Sequence, residues 1–194
     1  MKNFRNICVY CGSSARVDDL FKNAIRELGK LLAESGKRVV YGGGHVGLMG
    51  LLADSALAHG GEVTGIIPEH IADKELAHEG LTDLHVVKTM HERKQMMVDQ
   101  SDAFIIMPGG LGTMDEFFEI FTWWQLGLHD KPVIIVNVAG YWSPLIALID
   151  NIVTCKFARA EDRAHLCVID DVAEVIDALD KAPRETIDPQ VKWI

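Results

Sequence analysis

Nowhere in the 194 residues does an apolar run approach the roughly 20 positions that a membrane-spanning helix needs. No membrane partner is expected. The opening Met1-Lys2-Asn3-Phe4-Arg5 lacks the apolar segment of a secretory leader and runs into a strand, so a cytoplasmic location is expected. Positive charge is also in short supply, 19 Lys and Arg against 28 Asp and Glu, for a net charge of −9. Such a surface repels polyanions, and no local basic patch offsets it, which excludes nucleic acid as a partner. Cysteine is limited to four residues. Cys8 and Cys11 have C-x-x-C spacing, but in a strand, positions three apart face opposite sides, and no second pair completes a zinc site. Buried free thiols are the expectation. The eight histidines show no H-x-x-x-H spacing, so no metal is expected, and His45 alone stands in a glycine-rich turn. Ser13 and Ser14 lack a G-x-S-x-G setting, which argues against a nucleophilic-serine hydrolase.

What the chain does have is an ordinary globular composition, 48% hydrophobic and 24% charged, enough for one core-forming domain. Apolar strand-like runs at 6–11, 38–41, 62–67, 84–88, 103–107, 133–138 and 167–169 alternate with stretches of helical period. This pattern specifies an α/β protein: a single Rossmann-like, doubly wound parallel sheet of about seven strands with helices on both faces. Residues 1–182 are expected to form one nucleotide-binding domain and 183–194 a C-terminal tail. Residues 69–83 are polar and aperiodic, and read as a loop or short helix over the strand ends, a candidate lid.

Three glycine-bearing turns leave carboxyl ends of strands: Gly12 to Ser14, Gly42 to Gly50, and Pro108 to Thr113. In this architecture ligands bind outside those ends, so the three turns are expected to share one cleft. Glycines let backbone approach an anion, and the first N–H groups of a following helix point at it. A phosphorylated ligand follows from that geometry. Gly42-x-Gly44-x-x-Gly47 has dinucleotide-fingerprint spacing but sits in the second βα unit, and Glu62 opens a strand where a ribose-binding acid should close one. A phosphate or sugar site of another scheme fits better. The Pro108 turn is no Walker loop, since no Lys follows its last glycine.

Thr113 and Glu116 have capping-box spacing, so Glu116 either caps a helix or serves chemistry beside the phosphate turn. Asp115 and Glu119, four apart, are expected to face solvent. Thr89 and Glu92 also have capping-box spacing, which starts a helix carrying Arg93 and Lys94 in its first turns. Met90, Met96 and Met97 read as core filler.

Met90-His91-Glu92-Arg93-Lys94, followed by Pro108-Gly109-Gly110-Leu111-Gly112-Thr113-Met114-Asp115-Glu116, resembles the Lonely guy (LOG) family of cytokinin riboside 5′-monophosphate phosphoribohydrolases, members of which were often labelled lysine decarboxylases. The similarity extends from Cys8 to about Arg163 and takes in Tyr41-Gly42-Gly43-Gly44, Gly47-Leu48-Met49-Gly50 and the stretch Gln125 to Pro132. The resemblance implies hydrolysis of the N-glycosidic bond of a purine nucleoside 5′-monophosphate, cytokinin or adenosine, to free base and ribose 5-phosphate. It places the catalytic pair on Arg93 and Glu116, and the 5′-phosphate on Gly110, Leu111, Gly112 and Thr113. Lys94 and Thr122 match ligand-contact positions, and Ser14, Gly43, Gly44 and Gly109 complete the expected substrate-binding set. A homodimer is implied as well, with the aromatic stretch Phe117 to Trp124 either helping to build it or filling the core. No metal or redox cofactor is required. A decarboxylase would need a Schiff-base lysine, and no lysine stands in a convincing setting. The remaining alternative is a non-catalytic nucleotide or molybdenum-cofactor carrier of the same fold.

Overall fold

In the computed structural model, which describes residues 4–75 and 77–182, the apolar runs go inside, except at the sheet edge, where Leu84 and Val86 stay exposed. Seven strands, β1 (Asn6–Tyr10), β2 (Arg38–Tyr41), β3 (Val63–Pro68), β4 (Asp83–Val87), β5 (Ala103–Ile106), β6 (Val133–Val136) and β7 (Leu166–Ile169), form one sheet in the order β4-β3-β2-β1-β5-β6-β7. Every neighbouring pair is parallel. Parallel strands need crossovers, supplied by α1 (Asp19–Glu34), α2 (Gly47–Ala58), α3 (Glu69–Glu75), α4 (Met90–Asp99), α5 (Leu111–Gln125), α6 (Ser143–Thr154) and α7 (Ala160–His165), with α8 (Val175–Lys181) following β7.

Alternation along β1 divides the interior in two. Ile7, Val9 and Cys11 pack with Leu28 of α1, Leu52 of α2 and Leu179 of α8, while Cys8 and Tyr10 pack with Met97 of α4, Phe117 of α5 and Ile149 of α6. The two cysteines of the C-x-x-C thus lie in different cores, as strand geometry requires. The chain runs outward from β1 to the edge at β4, returns through α4 to β5 on the other side of β1, and continues outward to β7. The carboxyl ends of β1 and β5 are therefore the topological switch point, where such sheets bind ligands. There the Gly12 N–H donates to the Pro108 carbonyl at 3.1 Å.

Several boundaries depart from expectation. α5 begins at Leu111, with Gly110 as its N-cap, so the second half of the expected Pro108 to Thr113 turn is the helix's first turn. The polar stretch after β3 does open with a short helix, α3, one of the two forms expected of it. α7 has no apolar period to announce it; it is held instead by Asp162, which accepts from the Arg159 N–H at 2.9 Å and from its guanidinium at 2.8 Å. The final helical stretch splits into a 3₁₀ turn, Val172–Glu174, and α8. Among the described residues no helix is long and apolar enough to cross a membrane. The tail expected over 183–194 lies outside the described residues.

Candidate active site

Three turns build the floor and walls of a cavity of about 280 Å³. Gly12 and Ser13 come from the turn after β1, Gly42 and Met49 from the second, and Gly110 to Thr113 from the start of α5. The expected convergence is present, and it is tight. A Cβ on Gly47 would overlap the backbone of Ser13, so the first two turns touch as closely as glycine permits. A Cβ on Gly109 would likewise overlap the Thr113 side chain, which folds back under the turn. The α5 N-terminus carries no side-chain cap, leaving its first N–H groups available to an anion in the cavity.

Arg93 and Glu116 meet in this cavity. α4 starts on a reciprocal capping box, the Thr89 hydroxyl accepting from the Glu92 N–H at 3.1 Å and the Glu92 carboxylate from the Thr89 N–H at 3.3 Å. That cap sets Arg93 in the first turns, where its Nε donates to the Ile66 carbonyl at 3.1 Å and its Nη1 lies 3.0 Å from Glu116 Oε1. Both side chains are nearly buried, 12% and 10% exposed. Glu116 makes no helix cap, because Thr113 is already inside α5; the capping reading is overturned and the carboxylate is left to Arg93 and the cavity. Burial pushes the Glu116 carboxyl up to about 7, against the opposing pull of the Arg93 guanidinium. The carboxyl is thus poised to change protonation near neutral pH, as a group handling protons requires.

Other expected residues fall elsewhere. Lys94 is buried with its ammonium 3.1 Å from Asp115 and 3.0 Å from Glu119, tying α4 to α5 rather than lining the cavity. Asp115 remains exposed, but Glu119 is half-buried against this cation rather than solvent-facing. Thr122 is exposed on the distal half of α5, about 9 Å along the helix axis from Glu116, and does not line the cavity. Ser14 and Gly109 line an adjoining pocket behind the phosphate turn. Gly43 and Gly44 tether the segment following α3: the Gly43 carbonyl accepts from the His78 N–H at 3.2 Å, and Gly44 bridges to Ala77. Gly43 also has a φ of +78°, open to glycine at little cost.

Sequence reasoning passed over Gly42, which gives the Arg93 guanidinium its space, and the apolar wall of Met49, Pro68, Ile71 and Met90. Met90 is not core filler: its sulfur lies 3.4 Å from Arg93 Nη1. Pro68 and Ile71 come from the end of β3 and from α3, the stretch with the least sequence signal. Cys11 also lines the cavity, but burial drives its thiol far above the ordinary range, so it is no nucleophile there. The aromatic residues of α5 are largely core, with Phe117 and Trp124 buried and Phe118, Phe121 and Trp123 packed against the same cluster.

His45, Asp54 and His78 form a second cluster, their donor atoms within 4.8 Å of one another. Its hydrogen bonds give it a structural role. The Gly80 N–H points at His78 Nδ1 at 3.1 Å, which places the ring proton on Nε2, where it is donated to Asp54 at 2.9 Å. No lone pair of His78 is then left for a cation, and the pair fastens the segment after α3 to α2.

A family model described as "Possible lysine decarboxylase" matches residues 49–179. The chain is 42% identical over 192 residues to a probable cytokinin riboside 5′-monophosphate phosphoribohydrolase of Oryza sativa subsp. japonica, covering 98% of this chain and 86% of that one. It is 43% identical over 176 residues to a cytokinin riboside 5′-monophosphate phosphoribohydrolase of Rhodococcoides fascians, covering 90% and 89%. Among solved structures, the molybdenum cofactor carrier protein of Chlamydomonas reinhardtii superposes with a TM-score of 0.72 over 92% of this chain and 98% of that one. At 20% identity that likeness concerns the fold alone. Identity of 42% and 43% to the phosphoribohydrolases over nearly the whole chain, together with the family model over residues 49–179, shows that the chain belongs to the LOG family.

Proposed function

We propose that this protein hydrolyses the N-glycosidic bond of a purine nucleoside 5′-monophosphate, releasing the free base and ribose 5-phosphate. The observation that carries this reading is the Arg93–Glu116 ion pair, nearly buried in the cavity that the N-terminus of α5 enters. The 5′-phosphate sits against Gly110 to Thr113, where free N–H groups and the helix dipole favour it. That anchor holds the ribose against Glu116. The base then lies along the apolar wall of Met49, Pro68, Ile71 and Met90, which accepts adenine or a prenylated adenine.

Cleaving the C1′–N bond builds positive charge on the ribose, which the Glu116 carboxylate stabilises across a short distance in a site of low polarity. Water adds to C1′ as the base leaves. The carboxylate takes a proton from that water, and the departing base nitrogen gains one in turn, so overall one water is consumed. Arg93, fixed by the Ile66 carbonyl, holds Glu116 in place and offers its remaining donors to the substrate.

Amine chemistry fits the site poorly. Among the described side chains no lysine lines the cavity, and Lys94, beside Arg93 in sequence, is held as a cation. Burial opposes its charge, but hydrogen bonds to Glu119 and Asp115 outweigh that and raise its pKa, the opposite of what a Schiff-base amine needs. The family's homodimer is proposed here too, on the resemblance alone. The decisive experiment incubates the purified protein with adenosine monophosphate and with its prenylated derivative, and follows base release by chromatography. Release from either supports the reading; release from neither, with folded protein, defeats it.

A further inference from the structure

A turn that binds an anion through N–H groups must also keep its carbonyl oxygens out of the way, because a carbonyl facing a phosphate repels it. The two carbonyls that precede α5 are both engaged. Pro108 O accepts from the Gly12 N–H at 3.1 Å, and Gly109 O accepts from the Tyr141 hydroxyl at 2.6 Å. The first contact is backbone to backbone and belongs to the switch point. The second is made by a side chain from a different part of the chain, 32 residues away.

We propose that Tyr141 is a positioning residue for the phosphate end of the site, its hydroxyl fixing the Gly109–Gly110 peptide so that the Gly110 N–H faces the substrate. The inference rests on the proposed function. A trans peptide places its C=O and N–H on opposite sides, and no peptide among the described residues is cis. Drawing the Gly109 carbonyl toward Tyr141 therefore turns the Gly110 N–H the other way. Gly110 lines the cavity with Arg93 and Glu116, while Tyr141 lines two neighbouring pockets that meet the cavity at Gly110.

The position of Tyr141 is itself constrained. After β6 the backbone passes through Ala139 at φ +51° and Gly140 at φ +74°. An alanine in that region is uncommon and carries strain, which the fold offsets locally. The Asn137 side chain holds the reversal closed, its Oδ1 accepting from the Trp142 N–H at 2.7 Å and its Nδ2 donating to Asp170 at 3.3 Å. The Tyr141 ring then packs edge-on against Phe21 at 5.5 Å and Trp142 at 4.8 Å. The hydroxyl is the group that hydrogen-bonds the turn. Glycine on both sides of the peptide leaves it otherwise free to rotate, so an external anchor has something to decide.

Tyr141→Phe tests this, since it keeps the ring contacts and removes one hydroxyl. Binding of ribose 5-phosphate, measured by calorimetry without turnover, should weaken about tenfold, as should inhibition by inorganic phosphate. KM for the nucleoside monophosphate should rise by a similar factor with kcat within about twofold. The melting temperature is a control for fold, and Tyr141→Leu, which also lacks a donor, should resemble Phe in binding. Unchanged ribose 5-phosphate affinity in Tyr141→Phe overturns the proposal. Because the binding assay needs no catalysis, absence of base release by the wild type would sink the proposed activity and still leave this proposal answerable.

Discussion

The side chain that Gly42 lacks would occupy the same space as the guanidinium of Arg93. The first glycine of the Gly42-Gly43-Gly44 run thus leaves room for an arginine arriving from α4, two crossovers later in the chain. Gly42→Ala should push Arg93 off Glu116 while leaving the fold intact, because the clash falls on the mobile end of a side chain. Activity should drop by about 100-fold, the typical consequence of an ångström-scale displacement, with the melting temperature nearly unchanged. An active Gly42→Ala enzyme would show that the guanidinium position is immaterial.

Glu116→Gln should lower kcat by about 100- to 1,000-fold, since the amide can neither stabilise the developing ribosyl cation nor take a proton. Ribose 5-phosphate should still bind, because the helix N-terminus is untouched. Retained turnover in this variant would remove Glu116 from the chemistry.

Arg93→Lys should fail almost as badly as Arg93→Ala. The guanidinium donates to Ile66 through Nε and reaches Glu116 through Nη1, two contacts in one plane that an ammonium cannot make together. Steady-state kinetics of the two variants side by side check this.

With burial pushing Glu116 up to about 7 from an ordinary 4.5, kcat/KM should climb as pH rises through about 7, where the carboxylate forms. The same shift acts on stability in the opposite sense. Between pH 4.5 and 7 the folded protein holds a proton that the unfolded chain has released, so this group's contribution to stability falls across that window and is level above it. Glu116→Gln cannot titrate. Its melting temperature should therefore gain on the wild type from pH 4.5 to 7, and a constant difference would contradict the raised value.

Lys94→Met separates a clamp from a substrate contact. Losing the ion pairs to Asp115 and Glu119 should cost about 2 kcal/mol, reduced from a fully buried pair by the exposure of Asp115. The melting temperature should fall by roughly 4–8 °C. A KM increase without that fall would return Lys94 to the ligand.

The central strands were legible because buried parallel strands are written as uninterrupted apolar runs, and the order of glycine turns located the cleft. Arg93 and Glu116 were legible through their motifs. The start of α5 was not, because Thr113 and Glu116 imitate a capping box although Thr113 stands at the third helical position. Lys94 was misplaced for a different reason. Asp115 and Glu119 reach it across a helix–helix contact, and local spacing carries no information about which helix will lie opposite. α7 is not legible because its six residues, AEDRAH, have no apolar period and are fixed by contacts distant in sequence, Asp162 to Gln125, Arg163 to Asp150 and His165 stacked on Trp124.

The return of the chain from β4 at one edge to β5 at the centre has a consequence for how activity first appears. Arg93 rides on that return helix, whereas Glu116 follows β5, so the pair joins the outward half of the sheet to the half built after it. A nascent or refolding chain that has completed only β1 to β4 has no Glu116 in place and leaves nucleotides intact. During refolding, base release should therefore recover with the slowest phase of tertiary structure rather than with helix content, making the enzyme a reporter of its own completion.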